Sequence, residues 1–261
     1  MPPDIVAVIV TYNSSDVIGD LLDSLPGALG RLTADVVVVD NGSRDGTADL
    51  VERRDDCRVI RSANTGYSAG INLGAAASAA AAILVLNADI RLHRNSVPPL
   101  LAALREPNVG IVAPQVRNLA GGLELSLRRD PTLLRAVGLT KTRLPIFSEY
   151  VAGLAAYDRP RTVDWALGAI LLMSRQCYNL LGGWDESFFL YSEEVDIALR
   201  ARDAGLLVRY EPRAVATHLG GHSGRDATTH SMHSSTGCGS TGAAMARQPP
   251  GATSSSAPRS S

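Results

Sequence analysis

Apolar runs alternate with helical patterns along the first half of the chain. Residues 5–10 and 36–39 are continuous apolar, largely β-branched runs, which are typical of strands buried on both faces of a sheet. Residues 15–25, between them, carry apolar side chains at helical spacing. This alternation predicts an α/β fold with a mostly parallel sheet flanked by helices. Such sheets bind ligands at the carboxyl ends of their strands.

The apolar pattern predicts further strands and helices, and it is less regular in the second half of the chain. Further strands are expected at residues 59–61, 83–87, 109–116, 162–173 and 206–210. Further helices are expected at residues 47–53, 71–82, 96–105, 176–181 and 192–204. Residues 64–70 are predicted as a loop, and residues 118–160 show no clear periodicity.

The composition changes abruptly near His222. Residues 1–222 have the alternating pattern of one globular domain, whereas small and polar residues dominate residues 223–261. A segment with so few large apolar residues buries too little surface to offset its ordering entropy. We therefore expect residues 223–261 to be a disordered tail.

Charge, cysteines and the longest apolar run exclude several classes of protein. The formal net charge of -1 argues against general binding to nucleic acid, which requires a clustered basic surface. The three cysteines, Cys57, Cys177 and Cys238, form no C-x-x-C pair, which favours a reducing, cytoplasmic setting. The Ala-rich run at residues 75–86 is too short to cross a bilayer, which leaves only peripheral contact with a membrane open.

Polar residues collect where three predicted strands end. They are Thr11, Tyr12 and Asn13 after the first strand, Asp40 after the second, and Asn87, Ala88 and Asp89 after a later one. Ordinary turn chemistry explains any one of these groups. Three groups at one edge of a sheet indicate a ligand-binding site.

The glycine-containing segment at residues 64–74 has two interpretations. Glycines allow a backbone to approach a ligand closely, and a helix N-terminus offers free N–H groups to phosphate oxygens. Alternatively, Gly70 and Gly74 only allow a helix to pack closely on its neighbour. The segment matches neither a Walker loop nor a G-x-G-x-x-G fingerprint.

Carboxylates at two places suggest catalytic chemistry. Asp89 at a strand end suits Mg²⁺ or Mn²⁺, although an Asp that caps a turn has the same appearance. Glu193, Glu194 and Asp196 follow Ser192, a pattern that also stabilises a helix N-terminus. A carboxylate among others in a cleft has a raised pKa and can act as a general base.

Further candidate residues surround the acidic turn. Asp185 and several aromatic residues precede it, and aromatic faces suit the apolar faces of sugars, although aromatics are more often core residues. His218 follows the last predicted strand and is a possible metal ligand or a structural histidine.

In this order, the motifs resemble inverting family 2 glycosyltransferases of the GT-A fold, and most closely the bacterial rhamnosyltransferases of the WbbL type found in actinobacteria. The resemblance covers roughly residues 4–222, and an ordered series is far more specific than any one motif. The matching segments are VIVTYN (8–13), VDNGSRDGT (39–47), NTGYSAGIN (64–72), LNAD (86–89), GGWD (182–185) and FLYSEEVD (189–196).

The resemblance implies a donor half at about residues 1–116 and an acceptor half at about residues 117–222. The residues it implies for the donor are Thr11, Tyr12 and Asp40 at the base and ribose, and Asn64, Gly66 and Asn72 in the donor pocket. It implies Glu194 as the catalytic base, and Asp89 and His218 as metal ligands. The other residues expected to contact substrate are Asn13, Asn87, Ala88, Trp165, Gly168, Ala169, Asp185 and Glu193.

The implied reaction is transfer of a sugar, L-rhamnose by resemblance, from a dTDP- or UDP-sugar to a hydroxyl of a cell-wall or polyprenyl-linked glycan. Mg²⁺ or Mn²⁺ stabilises the departing nucleotide diphosphate, and the enzyme works at the inner face of the membrane. Two departures from the family are visible: Asn87 replaces an acidic residue, and Glu194 replaces the usual aspartate.

Two other functions compete with this interpretation. A nucleotidyltransferase also places a metal-binding Asp on an α/β sheet, but it needs a Gly-rich loop with Arg or Lys after the first strand, which residues 11–16 lack. A nucleotide-sugar-binding protein without catalytic activity would retain Asp40 and Asp89. Donor binding without turnover would distinguish that protein from an enzyme.

Overall fold

The computed structural model describes residues 2–130, 132 and 148–220. Among these, nine strands form one sheet, and two further strands form a separate pair. The predicted tail at residues 223–261 lies outside the described residues.

The first half has the predicted strand and helix alternation. Its elements are β1 (Ile5–Thr11), α1 (Ile18–Leu29), β2 (Ala34–Asp40), α2 (Thr47–Glu52), β3 (Arg58–Arg61), α3 (Tyr67–Ala76) and β4 (Ala82–Asn87). The pairs β1–β2, β2–β3 and β1–β4 are all parallel. The carboxyl ends of these strands therefore meet at one edge of the sheet.

The second half adds antiparallel pairs to the sheet. Its elements are β5 (Ile90–Leu92), α4 (Val97–Leu104), β6 (Val109–Arg117), β7 (Leu127–Arg128), a 3-10 turn (Leu154–Tyr157), β8 (Arg161–Val163), β9 (Trp165–Ala166), β10 (Ile170–Ser174), α5 (Arg175–Leu181), α6 (Glu193–Asp203) and β11 (Leu207–His218). β10 runs antiparallel to both β4 and β6, whereas β6 and β11 are parallel. β5 and β8 are antiparallel to β11.

Two apolar layers bury both faces of the sheet. Ile5, Ala7 and Ile9 of β1 pack in the layer that contains α1 and α4. The alternate residues Val6, Val8 and Val10 pack in the layer that contains α3, α5 and α6. β1 is thus buried on both faces, as its continuous apolar run predicts.

Three predicted elements differ from the structure. The strand predicted at residues 162–173 is divided into β8, β9 and β10, because the chain turns away from the sheet at residues 167–169. The strand predicted at residues 206–210 continues to His218 across a register shift between Glu211 and Val215. The first turn of α3 lies in the predicted loop at residues 64–70, and α3 ends at Ala76.

Among the described residues, no helix is both long enough and apolar enough to span a membrane. The helices of the sheet layers are short: α1, the longest of them, has 12 residues. A membrane-spanning helix requires about 20 apolar residues.

Gly74 allows α3 to lie close to β1. A Cβ atom at Gly74 would overlap the side chain of Val8. We expect Gly74→Ala to lower the free energy of unfolding by about 1–3 kcal/mol through overpacking, despite the better helix propensity of alanine. Urea unfolding measures this change.

Gly27 in α1 is the matched control. It is exposed, and a Cβ atom there would meet nothing within 4 Å. Gly27→Ala should therefore raise the free energy of unfolding by about 0.5–1 kcal/mol. Equal effects at both positions would contradict the packing argument.

Candidate active site

The sheet brings the predicted strand-end residues to one edge. Thr11 at the end of β1 lies beside Asp40 at the end of β2, and Val10 lies beside Asn87 at the end of β4. Asp89 follows two residues after Asn87, with only 1% of its surface exposed. The parallel order of these strands makes the edge a meeting point for residues far apart in sequence.

Several buried polar atoms at this edge have no hydrogen-bond partner among the described residues. They are Oγ1 of Thr11, Oδ1 of Asp40, Oδ1 of Asn41 and Oγ of Ser68. An unsatisfied buried polar group costs about 1–3 kcal/mol. A row of such groups at a strand edge is therefore typical of a site whose partners are supplied by a ligand.

The loops after β1 and β2 are bonded to each other. Asn13, at φ 51°, accepts a hydrogen bond from the Arg44 N–H through its side-chain oxygen at 2.8 Å. Its own N–H donates to Ser43 Oγ at 2.9 Å, and the Ser14 N–H donates to Thr47 Oγ1 at 2.9 Å. Asn13 thus joins the loop after β1 to the loop after β2. Its contact with substrate stays a prediction.

Gly66 permits a close contact between the start of α3 and the loop before α6. Its φ is 102°, and a Cβ atom there would lie 2.8 Å from the Phe189 carbonyl oxygen. That carbonyl accepts a hydrogen bond from the Tyr67 N–H at 2.8 Å. The Gly66 carbonyl accepts one from Asn41 Nδ2 at 3.0 Å, and Asn64 is exposed nearby in sequence.

Asn72 holds the Gly-Gly-Trp-Asp turn. Its amide donates to the Trp184 carbonyl at 2.8 Å and to Glu186 at 2.9 Å, and its oxygen accepts from the Trp184 N–H at 2.9 Å. The same oxygen accepts from the Tyr178 hydroxyl at 3.0 Å. Asp185 accepts a hydrogen bond from the Ser187 N–H at 2.9 Å within this turn. Asn72 therefore positions the turn with all of its polar side-chain atoms engaged.

The Asp89 carboxylate faces His218 at the end of β11. Both Asp89 oxygens are buried, and His218 Nε2 lies 3.5 Å from Asp89 Oδ2. On the other side of the imidazole, Nδ1 lies 3.4 Å from Glu124 Oε2. Burial by itself lowers the pKa of His218, but the carboxylates of Asp89 and Glu124 outweigh it and raise the pKa to about 10.

These residues fit a divalent cation that receives further ligands from a substrate. Asp89 would offer a carboxylate, and His218 would offer an imidazole nitrogen once the cation has displaced the proton that the two carboxylates stabilise on the ring. Mg²⁺ commonly combines few protein ligands with phosphate and water. Within the described ranges, no group of three His, Cys, Asp or Glu side chains is arranged to hold an ion alone. Glu124 would orient the ring through its other nitrogen, as carboxylates next to ligating histidines do.

Tyr67 connects Asn87 with the acidic turn. Its hydroxyl donates to Asn87 Oδ1 at 2.6 Å. Burial, followed by the charges of Glu193, Glu194 and Asp89, raises the pKa of Tyr67 well above its usual value. The phenol therefore stays protonated, and Asn87, at the position where the resemblance implies an acidic residue, accepts its hydrogen bond. Ala88, between Asn87 and Asp89, is buried.

α6 begins with carboxyl groups that face inward. Oε2 of Glu193 and Oε2 of Glu194 are both buried without a hydrogen-bond partner, whereas Asp196 pairs with Arg200 at 2.7 Å. Ser192 precedes the helix, but its side chain makes no capping hydrogen bond. The two glutamates thus place unpartnered oxygens in the interior, which stabilisation of the helix N-terminus does not require.

Burial sets the protonation of both glutamates. It raises the pKa of Glu193 to about 7, with a further contribution from Glu194. Burial also raises the pKa of Glu194, against hydrogen bonds from backbone N–H groups and the charge of Arg128. A carboxyl group with a raised pKa is suited to proton transfer near neutral pH.

Two of the residues predicted to contact the acceptor, Gly168 and Ala169, lie next to Glu194 and Asn87 respectively. A Cβ atom at Gly168 would lie 3.0 Å from Glu194 Cβ, and the Ala169 carbonyl accepts from the Asn87 N–H at 2.9 Å. Trp165 is buried, and its indole N–H donates to the Arg129 carbonyl at 2.9 Å. The turn at residues 167–169 thus links β4 to the acidic helix.

Sequence reasoning missed three residues of this site. Glu124 and Arg128 lie in residues 118–160, where the sequence offers no periodicity to place them. Tyr67 lies within the recognised NTGYSAGIN segment, but only its hydrogen bond to Asn87 gives it a role. The polar strand ends were the signal that sequence could provide.

The sequence profile described as "Glycosyl transferase family 2" matches residues 6–160, which is more than half of the chain. The chain belongs to glycosyl transferase family 2. It is therefore a glycosyltransferase, and family membership decides against the nucleotidyltransferase alternative.

Relatives of this family 2 glycosyltransferase act on several glycans. It is 34% identical to the N-acetylglucosaminyl-diphospho-decaprenol L-rhamnosyltransferase of Mycobacterium tuberculosis over 85% of this chain and 78% of the relative. It is 30% identical to the low-salt glycan biosynthesis hexosyltransferase Agl10 of Haloferax volcanii over 77% of this chain and 62% of the relative. Rhamnosyltransferase WbbL of Escherichia coli is 29% identical over 39% of this chain and 38% of the relative.

Solved structures establish the GT-A fold of the family 2 enzyme. GalNAc-T7 with UDP, GalNAc and Mn²⁺ aligns with a TM-score of 0.64 and 16% identity, over 85% of this chain and 45% of that chain. The mannosyltransferase PcManGT of Pyrobaculum calidifontis, with GDP-Man and Mn²⁺, aligns with a TM-score of 0.60 and 18% identity. The alignment covers 86% of this chain and 59% of that chain. The predicted fold class and family are both confirmed.

The raised pKa of Glu193 predicts how stability depends on pH. A carboxyl group whose folded pKa exceeds its unfolded pKa stabilises the fold below the unfolded pKa and loses this contribution as pH rises through the folded pKa. From an ordinary value of 4.5 to about 7, the loss corresponds to about 3 kcal/mol. Glu193→Gln should remove most of this decline between pH 4 and pH 8. Unfolding free energies that fall equally in both proteins would contradict it.

Proposed function

We propose that this glycosyltransferase transfers L-rhamnose, with inversion, from a nucleotide diphosphate donor to a hydroxyl of a lipid-linked glycan. One observation carries the proposal: two carboxyl groups with buried oxygens, Asp89 and Glu194, both act electrostatically on Tyr67 at the same edge of the sheet. Asp89 is suited to binding a cation, and Glu194 is suited to accepting a proton. The M. tuberculosis relative, named as an L-rhamnosyltransferase, supports the choice of sugar.

The nucleotide binds at the ends of β1 and β2. Thr11, Tyr12 and Asp40 contact the base and ribose, which would satisfy the orphaned oxygens of Thr11 and Asp40. Asn64 and Gly66 border the donor from the start of α3. Asn72 contributes by fixing the Gly-Gly-Trp-Asp turn opposite.

Asp89 and His218 hold Mg²⁺ or Mn²⁺ together with the donor diphosphate. The ion would supply charge neutralisation for the departing nucleotide diphosphate. The Mn²⁺ named in the structures of GalNAc-T7 and PcManGT supports a divalent ion in this fold. Glu124 orients the His218 ring, and Asn87 is kept in place by Tyr67.

Glu194 accepts the proton of the acceptor hydroxyl. The hydroxyl oxygen forms a bond to the anomeric carbon, while the bond from that carbon to the diphosphate oxygen breaks. The proton passes to Glu194 and the electron pair leaves with the nucleotide diphosphate. Glu193 and Asp185 border the donor sugar, and Trp165, Gly168 and Ala169 border the acceptor beside Glu194. Positioning and charge stabilisation are expected to dominate the rate effect.

The acceptor is a glycan on a polyprenyl diphosphate, reached from the cytoplasmic face of the membrane. The name of the M. tuberculosis relative, which specifies N-acetylglucosaminyl-diphospho-decaprenol, supports a lipid-linked acceptor. Peripheral contact with the membrane would allow such a substrate to reach the site, and the reaction would serve cell-wall biogenesis. Donor binding without turnover across a panel of acceptors would instead favour the non-catalytic alternative.

Asp89→Ala should abolish the Mn²⁺ dependence of donor binding. The substitution removes the carboxylate ligand, whereas His218 keeps its contact with Glu124, so the fold should remain intact. Calorimetry with dTDP-L-rhamnose and UDP-sugars, with and without Mn²⁺, measures this effect. Asp23→Ala, at an exposed carboxylate of α1, is the control. Unchanged Mn²⁺-dependent affinity in Asp89→Ala would refute the assignment.

Glu194→Gln should lower the rate of transfer by roughly 10²–10⁴-fold, the range for losing a general base. The amide retains the shape of the side chain, so donor affinity should be preserved. Steady-state turnover and donor binding are measured in parallel for Glu193→Gln and Asp196→Asn. Near-wild-type turnover of Glu194→Gln would contradict the assignment of Glu194 as the general base. A larger loss of turnover in Glu193→Gln or Asp196→Asn would contradict it as well.

A further inference from the structure

Arg128 is held between two aromatic rings beside the catalytic carboxylate. Its guanidinium carbon lies 4.0 Å from the centroid of the Tyr150 ring and 5.7 Å from that of Trp165. Its Nη1 donates to the carbonyls of Leu125 and Leu127. The cation is therefore fixed in orientation by stacking and by backbone acceptors.

This guanidinium has no carboxylate partner. Among the residues that the structure describes, no Asp or Glu oxygen lies within 4.0 Å of Arg128, whereas Arg202 nearby pairs with Asp130. Asp130 and Asp164 both act on Arg202. Arg128, although half-buried, thus retains a positive charge for an anion from outside the chain.

The position of Arg128 connects it with the reaction. β7 pairs with β9 so that Arg128 lies opposite Trp165, and the chain then enters the turn whose Gly168 contacts Glu194. β9 also packs against α6, which carries Glu194. Burial raises the pKa of Glu194, and the positive charge of Arg128 acts against that rise. Tyr150, whose ring stacks on Arg128, is 49% exposed, so a ligand in solution can reach it.

We propose that Arg128, with Tyr150 and Trp165, binds the phosphate of a phosphorylated acceptor and holds the acceptor hydroxyl towards Glu194. This inference rests on the proposed function and adds to it the residues that recognise the phosphate of the acceptor. A guanidinium presents paired donors that match phosphate oxygens, and a hydrogen bond to a charged group is stronger than a neutral one. The aromatic faces suit the adjoining sugar ring or isoprenoid carbon chain.

Two acceptors with the same sugar test the proposal. One is a short prenyl-diphosphate-linked N-acetylglucosamine, and the other is the neutral octyl N-acetylglucosaminide. Arg128→Gln should raise KM, and the equilibrium dissociation constant measured without donor, roughly 10–100-fold for the diphosphate acceptor alone. Arg128→Lys, which keeps the charge but not the paired donors, should recover part of this loss. Donor affinity should not change.

Arg161→Gln is the matched control, because Arg161 is exposed on β8 and, like Arg128, acts electrostatically on Tyr157. It should leave both acceptors unaffected. Equal losses for the two acceptors with a shifted pH profile would overturn the proposal, since Arg128 would then act only through Glu194. Weaker donor binding would also overturn it and assign Arg128 to the donor diphosphate.

Direct binding separates this proposal from the proposed function. If wild type binds the diphosphate acceptor but does not glycosylate it, the proposed reaction fails while the Arg128 site stands. If Arg128→Gln does not fold, Arg128→Lys and the exposed Tyr150→Ala should still weaken binding of the diphosphate acceptor relative to the neutral glycoside. Equal binding of the two acceptors by both variants and wild type would refute the site.

Discussion

The hydrogen bond from the Tyr67 N–H to the Phe189 carbonyl fixes the acidic helix relative to the strand ends. Tyr67 begins α3 at the sheet edge, and Phe189 lies in the loop that leads to α6. Only glycine fits at position 66 because a Cβ atom would meet the Phe189 backbone. Asn72 reinforces this junction through Trp184. The distance between Asp89 and Glu194 therefore depends on backbone contacts made by residues that carry no catalytic group.

The site is assembled at the expense of local stability. Tyr191 and Ser192 both adopt left-handed backbone conformations, which cost about 1–3 kcal/mol each for residues other than glycine. They turn the chain into α6 and direct its first carboxyl groups inward. Buried oxygens without partners at Asp89, Glu193 and Glu194 add to this cost. The apolar layers on both faces of the sheet offset these terms and hold the groups in place.

The sequence predicts the donor half well because β1, β2 and β4 contribute residues to both apolar layers and appear as continuous apolar runs. The acceptor half is harder, since β7, β8 and β9 have only two or three residues each and leave no period to detect. Hydrogen bonds between distant residues, such as Asn72 with Trp184, cannot be inferred from local patterns. For the same reason, Glu124 and Arg128 became visible only when the fold placed them beside His218 and Glu194.

Gly70 and Gly74 lie one helical turn apart on the face of α3 that contacts β1, where Cβ atoms would meet Val10 and Val8. Their missing side chains let the helix axis sit low over the sheet. The height of α3 above β1 sets how far the Gly66–Tyr67 turn overhangs the strand ends. The depth of the cleft at that edge is therefore determined inside the hydrophobic layer, by the size of residues that no substrate reaches.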